Sequence, residues 1–233
     1  MVLKYLKATA IGVAVLGMSS AANAATLRLD GYTAPIQSVN VSAPVAGAPS
    51  RAGAAGFNVT DTSGSMGSFV AWCLDVAHYL MPTGGSQDYT KTANPFSNSY
   101  SPTSVGLSRV QSVFDANYGS LDASNGDQAA AFQMALWEAA YESDSNTMSV
   151  SDGGFQASST GSTSLANTFL ANADAYTGGQ KWNLSFFEVA GYDINRGAKT
   201  GQNLVTVSAV PLPAGMILLG SGLFGLGALR RRK

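Results

Sequence analysis

The chain is poor in the residues that most often carry site chemistry: its 233 residues include one cysteine and one histidine. Both lie in one stretch, "SFVAWCLDVAHYL" over 68–80, as Cys73 and His78. A lone cysteine excludes a disulfide within the chain, and one cysteine with one histidine falls short of a Cys/His zinc site. There is no P-loop, no Gly-x-Ser-x-Gly elbow and no His-Glu-x-x-His, so no metal ligand set and no cofactor is expected. A Ser-His-Asp triad would have to use His78, and no serine is marked out as its partner. Charge is sparse as well, at 12% of residues.

Both ends of the chain are distinctive. Lys4 and Lys7, the apolar run over 8–18 and the small-residue pattern Ala22-Asn23-Ala24 read as a cleaved signal peptide over 1–24. At the other end, "VPLPAGMILLGSGLFGLGAL" over 210–229 carries no charge and is followed by Arg230, Arg231, Arg232 and Lys233. A span needs roughly 20 apolar residues, and positive charge stays on the cytoplasmic side. The expectation is therefore a C-terminal transmembrane helix over 210–233 that leaves the body outside the cytoplasmic membrane. Six of the thirteen basic residues belong to these ends and all fourteen acids to the body, so the body over 25–209 has a formal charge of −7. That balance excludes nucleic acid as a partner, because phosphate binding requires clustered cations.

The body has about 185 residues, enough for one sizeable domain. Strands are expected over 25–32, 56–61, 69–80, 182–194 and 203–209. Helices are expected over 104–118, 127–142 and 164–176. The second, "DQAAAFQMALWEAAYE", is the strongest, with Ser124 or Asn125 as its cap and Asp127 in its first turn. The densest loop candidates are 43–56, 83–104 and 143–163. The fold class predicted is α+β: a single mixed domain with a β-sheet or small sandwich and a helical insertion, plus the signal peptide and the transmembrane helix.

Most carboxylates are isolated. Glu138 and Glu142, one turn apart on the strong helix, are compatible with a catalytic pair but are expected on a solvated face. On the same helix, Gln133 lies on an apolar, small-residue stripe with Ala129 and Trp137 as its one-turn neighbours. A buried amide needs hydrogen-bond partners or costs desolvation energy. It can also be removed chemically: a nearby thiol attacks the amide, expels ammonia and leaves an internal thioester. The alternative is that Cys73 is a small buried apolar residue and Gln133 hydrogen-bonds across the core.

Trp72-Cys73-Leu74-Asp75 followed by Gln133-Met134-Ala135-Leu136-Trp137 resembles the thioester domains of Gram-positive surface adhesins. Those domains carry an aromatic-Cys-x-Asp element on a strand and a Gln-x-Ala-x-Trp element on a helix. The chain departs from them in having Phe132 where the family usually has Thr. The resemblance implies that Cys73 is the thioester sulfur and Gln133 the acyl donor, with Trp72, Asp75, Ala135 and Trp137 supporting or shielding the bond. It also implies an adhesive, non-enzymatic act, in which an amine or hydroxyl of a surface, matrix or host partner is captured once. His78 falls on the face opposite Cys73 if the strand continues, and is given no catalytic role. The competing reading is a non-covalent structural protein of the envelope or exopolysaccharide matrix.

Val210, Pro211, Leu212, Pro213 and Ala214, with the apolar run and basic tail, resemble the VPLPA-type variant of the PEP-CTERM sorting signal of Gram-negative bacteria. That likeness implies an exosortase-type protease as a partner and export to the cell surface.

Overall fold

The computed structural model describes residues 24–43, 48–64, 66–97, 105–190 and 201–210. In chain order the strands are β1 (Ala24–Tyr32), β2 (Gln37–Ser42), β3 (Arg51–Ala54), β4 (Phe57–Asp61), β5 (Ser68–Cys73), β6 (Ser86–Thr92), β7 (Gln156–Ser158), β8 (Trp182–Val189) and β9 (Leu204–Ala209). The helices α1 (Gly106–Asn117) and α2 (Gly126–Tyr141) follow β6, and α3 (Thr163–Asp174) follows β7.

Six strands close into an antiparallel barrel in the order β1-β4-β5-β9-β8-β6, with β6 pairing back onto β1. Closure leaves no unpaired edge in this sheet. Register partners in an antiparallel ladder share a face. Leu29↔Val59, Val59↔Phe69 and Phe57↔Ala71 therefore define the barrel interior, and Cys73↔Leu204 and Leu204↔Phe187 continue it toward one end. Cys73 thus points inward at the end of β5. Trp72, its neighbour, points outward and meets Phe132 of α2 edge-on with ring centroids 4.8 Å apart.

A second sheet, in the order β3-β2-β7, packs against α2. Helix α2 is the centre of the molecule: from Ala129 to Tyr141 every residue is buried. Its alanines allow close approach by α1, α3 and both sheets, the pattern of a helix buried all round. Asn125 begins it, with Oδ1 accepting from the amides of Asp127 at 3.0 Å and Gln128 at 3.1 Å. Phe132 lies at the junction of the layers, with Phe114 of α1 at 5.1 Å and Phe169 of α3 at 6.1 Å. The large ring where the resembled family has Thr is thus a packing hub between barrel and helices.

Several expectations are corrected. The fold is α+β, but its main sheet is a closed six-stranded barrel accompanied by three helices, and not an open sheet or small sandwich. Strands β3, β6 and β7 lie inside segments expected to be loops. In β6 only Tyr89 is buried, so its sequence shows none of the apolar alternation by which a strand is recognised. Glu138 and Glu142 are both fully buried, not on a solvated face. The transmembrane expectation and the membrane-anchored topology built on it are also corrected. Among the described residues no helix is long and apolar enough to cross a membrane, and residues 211–233 lie outside the described residues, as do 1–23 of the expected signal peptide.

Candidate functional site

Strand β5 stops at Cys73, where the sequence reading carried it on to residue 80. Beyond it the amide of Leu74 still donates to Asn203 O at 2.9 Å, extending the β5/β9 ladder by one step. The chain then turns. The Asp75 carboxylate accepts from the Ala77 amide at 2.8 Å through Oδ1 and contacts His78 Nδ1 through Oδ2. This turn brings His78 back beside the end of β5 and so removes it from the opposite face of a continuing strand. Asp75 is 1% exposed and His78 8% exposed.

Two glutamines converge on Cys73, in different ways. Gln133 reaches from α2 to its backbone: Oε1 accepts from the Cys73 amide at 2.9 Å, and Nε2 donates to the Cys73 carbonyl at 2.7 Å. Both ends of the buried amide are thereby satisfied, and the strand end is clamped to the helix. The sulfur has a different partner. Cys73 Sγ donates to Oε1 of Gln202, and Nε2 of Gln202 donates to the Asp75 carbonyl at 2.8 Å. The structure therefore brings the Gln133 side chain to the backbone of Cys73 and not to its sulfur, and the amide against the thiol is that of Gln202.

Gln202 lies two residues before β9 and is tethered through its own backbone and through both chain neighbours. Its carbonyl accepts from the Tyr89 hydroxyl at 3.1 Å. Before it, the Gly201 amide donates to Tyr79 O at 2.7 Å. Gly201 has φ +106°, and a Cβ there would lie 2.6 Å from Val189 Cγ2, so the position requires glycine. After it, buried Asn203 accepts from the Val189 amide at 3.2 Å and donates to Pro95 O at 2.5 Å.

Burial, with the Asp75 charge as a smaller cause, pushes the Cys73 thiol well above the usual thiol range. Burial likewise raises Tyr89 and Tyr141, and both rings lie close enough to feel charge at Cys73. Trp72 packs against Phe132 on the outer face of β5, while Ala135 and Trp137 are buried within α2.

Gln202 and His78 also line a cleft of about 250 Å³, walled by Tyr32, Phe57 and Tyr79. Gln202, whose side-chain amide meets the buried sulfur, thus also borders a cleft. Sequence reasoning singled out Gln133 because a helical stripe made it conspicuous. Gln202 lies in an unpatterned Gly-Gln-Asn, and only the β5/β9 register places it. Among the described residues no group of three or more His, Cys, Asp or Glu could hold a metal ion.

No family model matches the chain, and no curated protein matches it. Solved structures similar to it at low identity include the following. The N-terminal domain of the Streptococcus pyogenes pilus tip adhesin Cpa is 14% identical, with TM-score 0.41, covering 79% of this chain and 98% of that one. The N-terminal thioester domain of a Clostridium perfringens surface protein is 14% identical, with TM-score 0.42, covering 74% and 99%. The Bacillus anthracis TIE protein is 17% identical, with TM-score 0.32, covering 65% and 26%. These are distant likenesses of fold, and the site stands on its own geometry.

Proposed function

We propose that Cys73 and Gln202 form an internal thioester, and that the domain is a surface module that uses it once for covalent attachment. The observation that carries this reading is the contact of the Cys73 thiol with the side-chain amide of Gln202. In the bond-forming step Sγ attacks Cδ of Gln202, the C–N bond breaks, and the thiol proton leaves with the amide nitrogen as ammonia. Thiol attack on an amide is uphill in water, so the fold has to supply the driving force. Well-oriented intramolecular groups reach effective molarities of roughly 10⁵–10⁸ M. Here the Gln133 clamp on one partner and the Tyr89, Gly201 and Asn203 tethers on the other supply that orientation.

Gln133 is reassigned in this reading from acyl donor to positioning residue, because its amide is fully used on the Cys73 backbone. When an external nucleophile reaches Gln202 through the cleft, it takes the acyl group and releases Cys73 as a thiol. No group is regenerated, so the event is stoichiometric.

Intact mass of the purified protein tests this. The bonded form is one ammonia lighter than the sequence and gains one methylamine on treatment with that amine. Cys73→Ala and Gln202→Ala each abolish both signals. A protein of full sequence mass that does not react with methylamine would sink the proposal and leave a non-covalent structural role.

A further inference from the structure

The place of Gln202 along the chain decides what is pulled once a partner is attached to it. Strand β9 runs from Leu204 to Ala209, two residues after Gln202, and the sequence continues beyond Val210 through 211–233. A partner bonded to Cδ of Gln202 and a load applied beyond Val210 are therefore joined covalently by the Gln202 side chain and the backbone of 202–210. Strands β1 to β8 and the three helices all precede Gln202 in the chain. None of them lies on that covalent path.

The path has little slack. A β-strand rises about 3.3–3.4 Å per residue and a fully drawn chain at most about 3.6 Å, so six-residue β9 can lengthen by only about 2 Å. Its neighbours hold it along both edges: β5 pairs with Leu204, Val205 and Thr206, and β8 pairs with it from Leu204 to Ala209. The pairing extends past both ends, with the Leu74 amide donating to Asn203 O at 2.9 Å and the Val210 amide donating to Lys181 O at 3.0 Å. Antiparallel ladder bonds lie perpendicular to the strands. Tension that enters at one end of β9 and leaves at the other therefore follows its backbone and does not have to cross the ladders.

Resting on the thioester reading above, we infer that β9 is a tension-bearing strap: after capture, load passes between the partner and the chain beyond Val210 through 202–210, and the barrel and helices stay folded beside that path. An acyl donor at Gln133 would instead place the second half of α2, β7, α3 and β8 in series with the load.

The test pulls single full-length molecules between a handle on the C-terminus and a bead bearing a primary amine. In the attachment the amine nitrogen bonds to Cδ of Gln202, the C–S bond breaks, and a proton from the amine passes to the Cys73 sulfur. Methylamine-treated wild type held by its two chain ends is the control, and its body over 25–210 releases roughly 600 Å of chain when it unfolds. At the force that unfolds the control, molecules held through the amine bead are expected to lengthen by no more than roughly 110 Å, the drawn length of 202–233. Any greater lengthening overturns the inference; a donor at Gln133 would allow roughly 350 Å, the drawn length of 133–233. Peptide mapping of the amine adduct separates the two failures. An adduct on Gln202 with long extension overturns the strap alone, and an adduct on Gln133 overturns the donor assignment with it. A protein of full sequence mass that never attaches to the bead refutes instead the thioester reading on which the inference rests.

Discussion

Replacing each glutamine in turn separates the clamp from the acyl donor. Gln133→Met keeps roughly the side-chain volume but removes both hydrogen bonds to Cys73, leaving a buried N–H and a buried C=O without partners. An unsatisfied buried backbone group costs about 1–3 kcal/mol. The loss should therefore be about 2–6 kcal/mol, a large part of the ~5–15 kcal/mol typical of a domain. Gln202→Ala removes a half-buried side chain whose donor bond goes to the Asp75 carbonyl, so its packing cost is smaller. It also removes any cross-link. Positions 73 and 202 are 129 residues apart, and closing a loop of that length stabilises a chain by about 5 kcal/mol in the chain-entropy treatment of cross-links.

Urea unfolding of Gln133→Met made in the Gln202→Ala background, compared with Gln202→Ala alone, isolates the clamp from the cross-link. A shift below about 1 kcal/mol would refute the clamp, because it would mean that water or another group satisfies Cys73. Intact mass supplies the complementary readout. Gln133→Glu keeps an oxygen able to accept from the Cys73 amide, in place of the carboxamide Oε1, and should retain a measurable thioester fraction. Gln202→Glu should show no amine-reactive species when expressed. If the pattern is reversed, the acyl donor is Gln133 after all.

Three further outcomes are expected. In Gln202→Ala the Cys73 thiol is free but buried and shifted upward, so iodoacetamide should label it slowly in the native protein and rapidly in denaturant. The Glu138 carboxyl is pushed up to about 8 from an ordinary value of 4.5, chiefly by burial, so the folded state binds a proton there that the unfolded state has lost. That contribution to stability is full below about 4.5 and disappears as pH rises through about 8; Glu138→Gln should flatten this fall in pH-resolved unfolding. For Glu142, burial acts upward but is outweighed by donors from Phe155 at 3.0 Å, Ser143 at 2.7 Å and Asn146 at 2.7 Å, which hold it below the ordinary range. Glu142→Ala strands those donors and should lower the melting temperature while sparing the thioester mass signature.

What could be read from the sequence depended on whether a residue's role was local. All three helices were legible, because apolar spacing and alanine content belong to the segment itself, and Asn125 does cap α2 as a local reading expects. Strands β1, β4, β8 and β9 had turn residues or apolar runs to mark them. Strand β6, "SQDYTKT", had neither, since Tyr89 is its one buried residue. The closed barrel was illegible for the same reason: it is a fact about which strands meet.

The two glutamines show the same divide within the site. Gln133 was conspicuous because an amide on an apolar helix stripe conflicts with its surroundings, and the conflict is real, but it is resolved by the backbone of Cys73. Gln202 conflicts with nothing in its own segment. Its significance comes from a ladder that places Leu204 opposite Cys73 and from a turn at Asp75 that receives its amide. The same turn returns His78 to the site, because it ends a strand that local composition would have continued. A buried polar residue on a helix therefore announces that something polar is near it, and the sheet register determines which side chain reaches the sulfur.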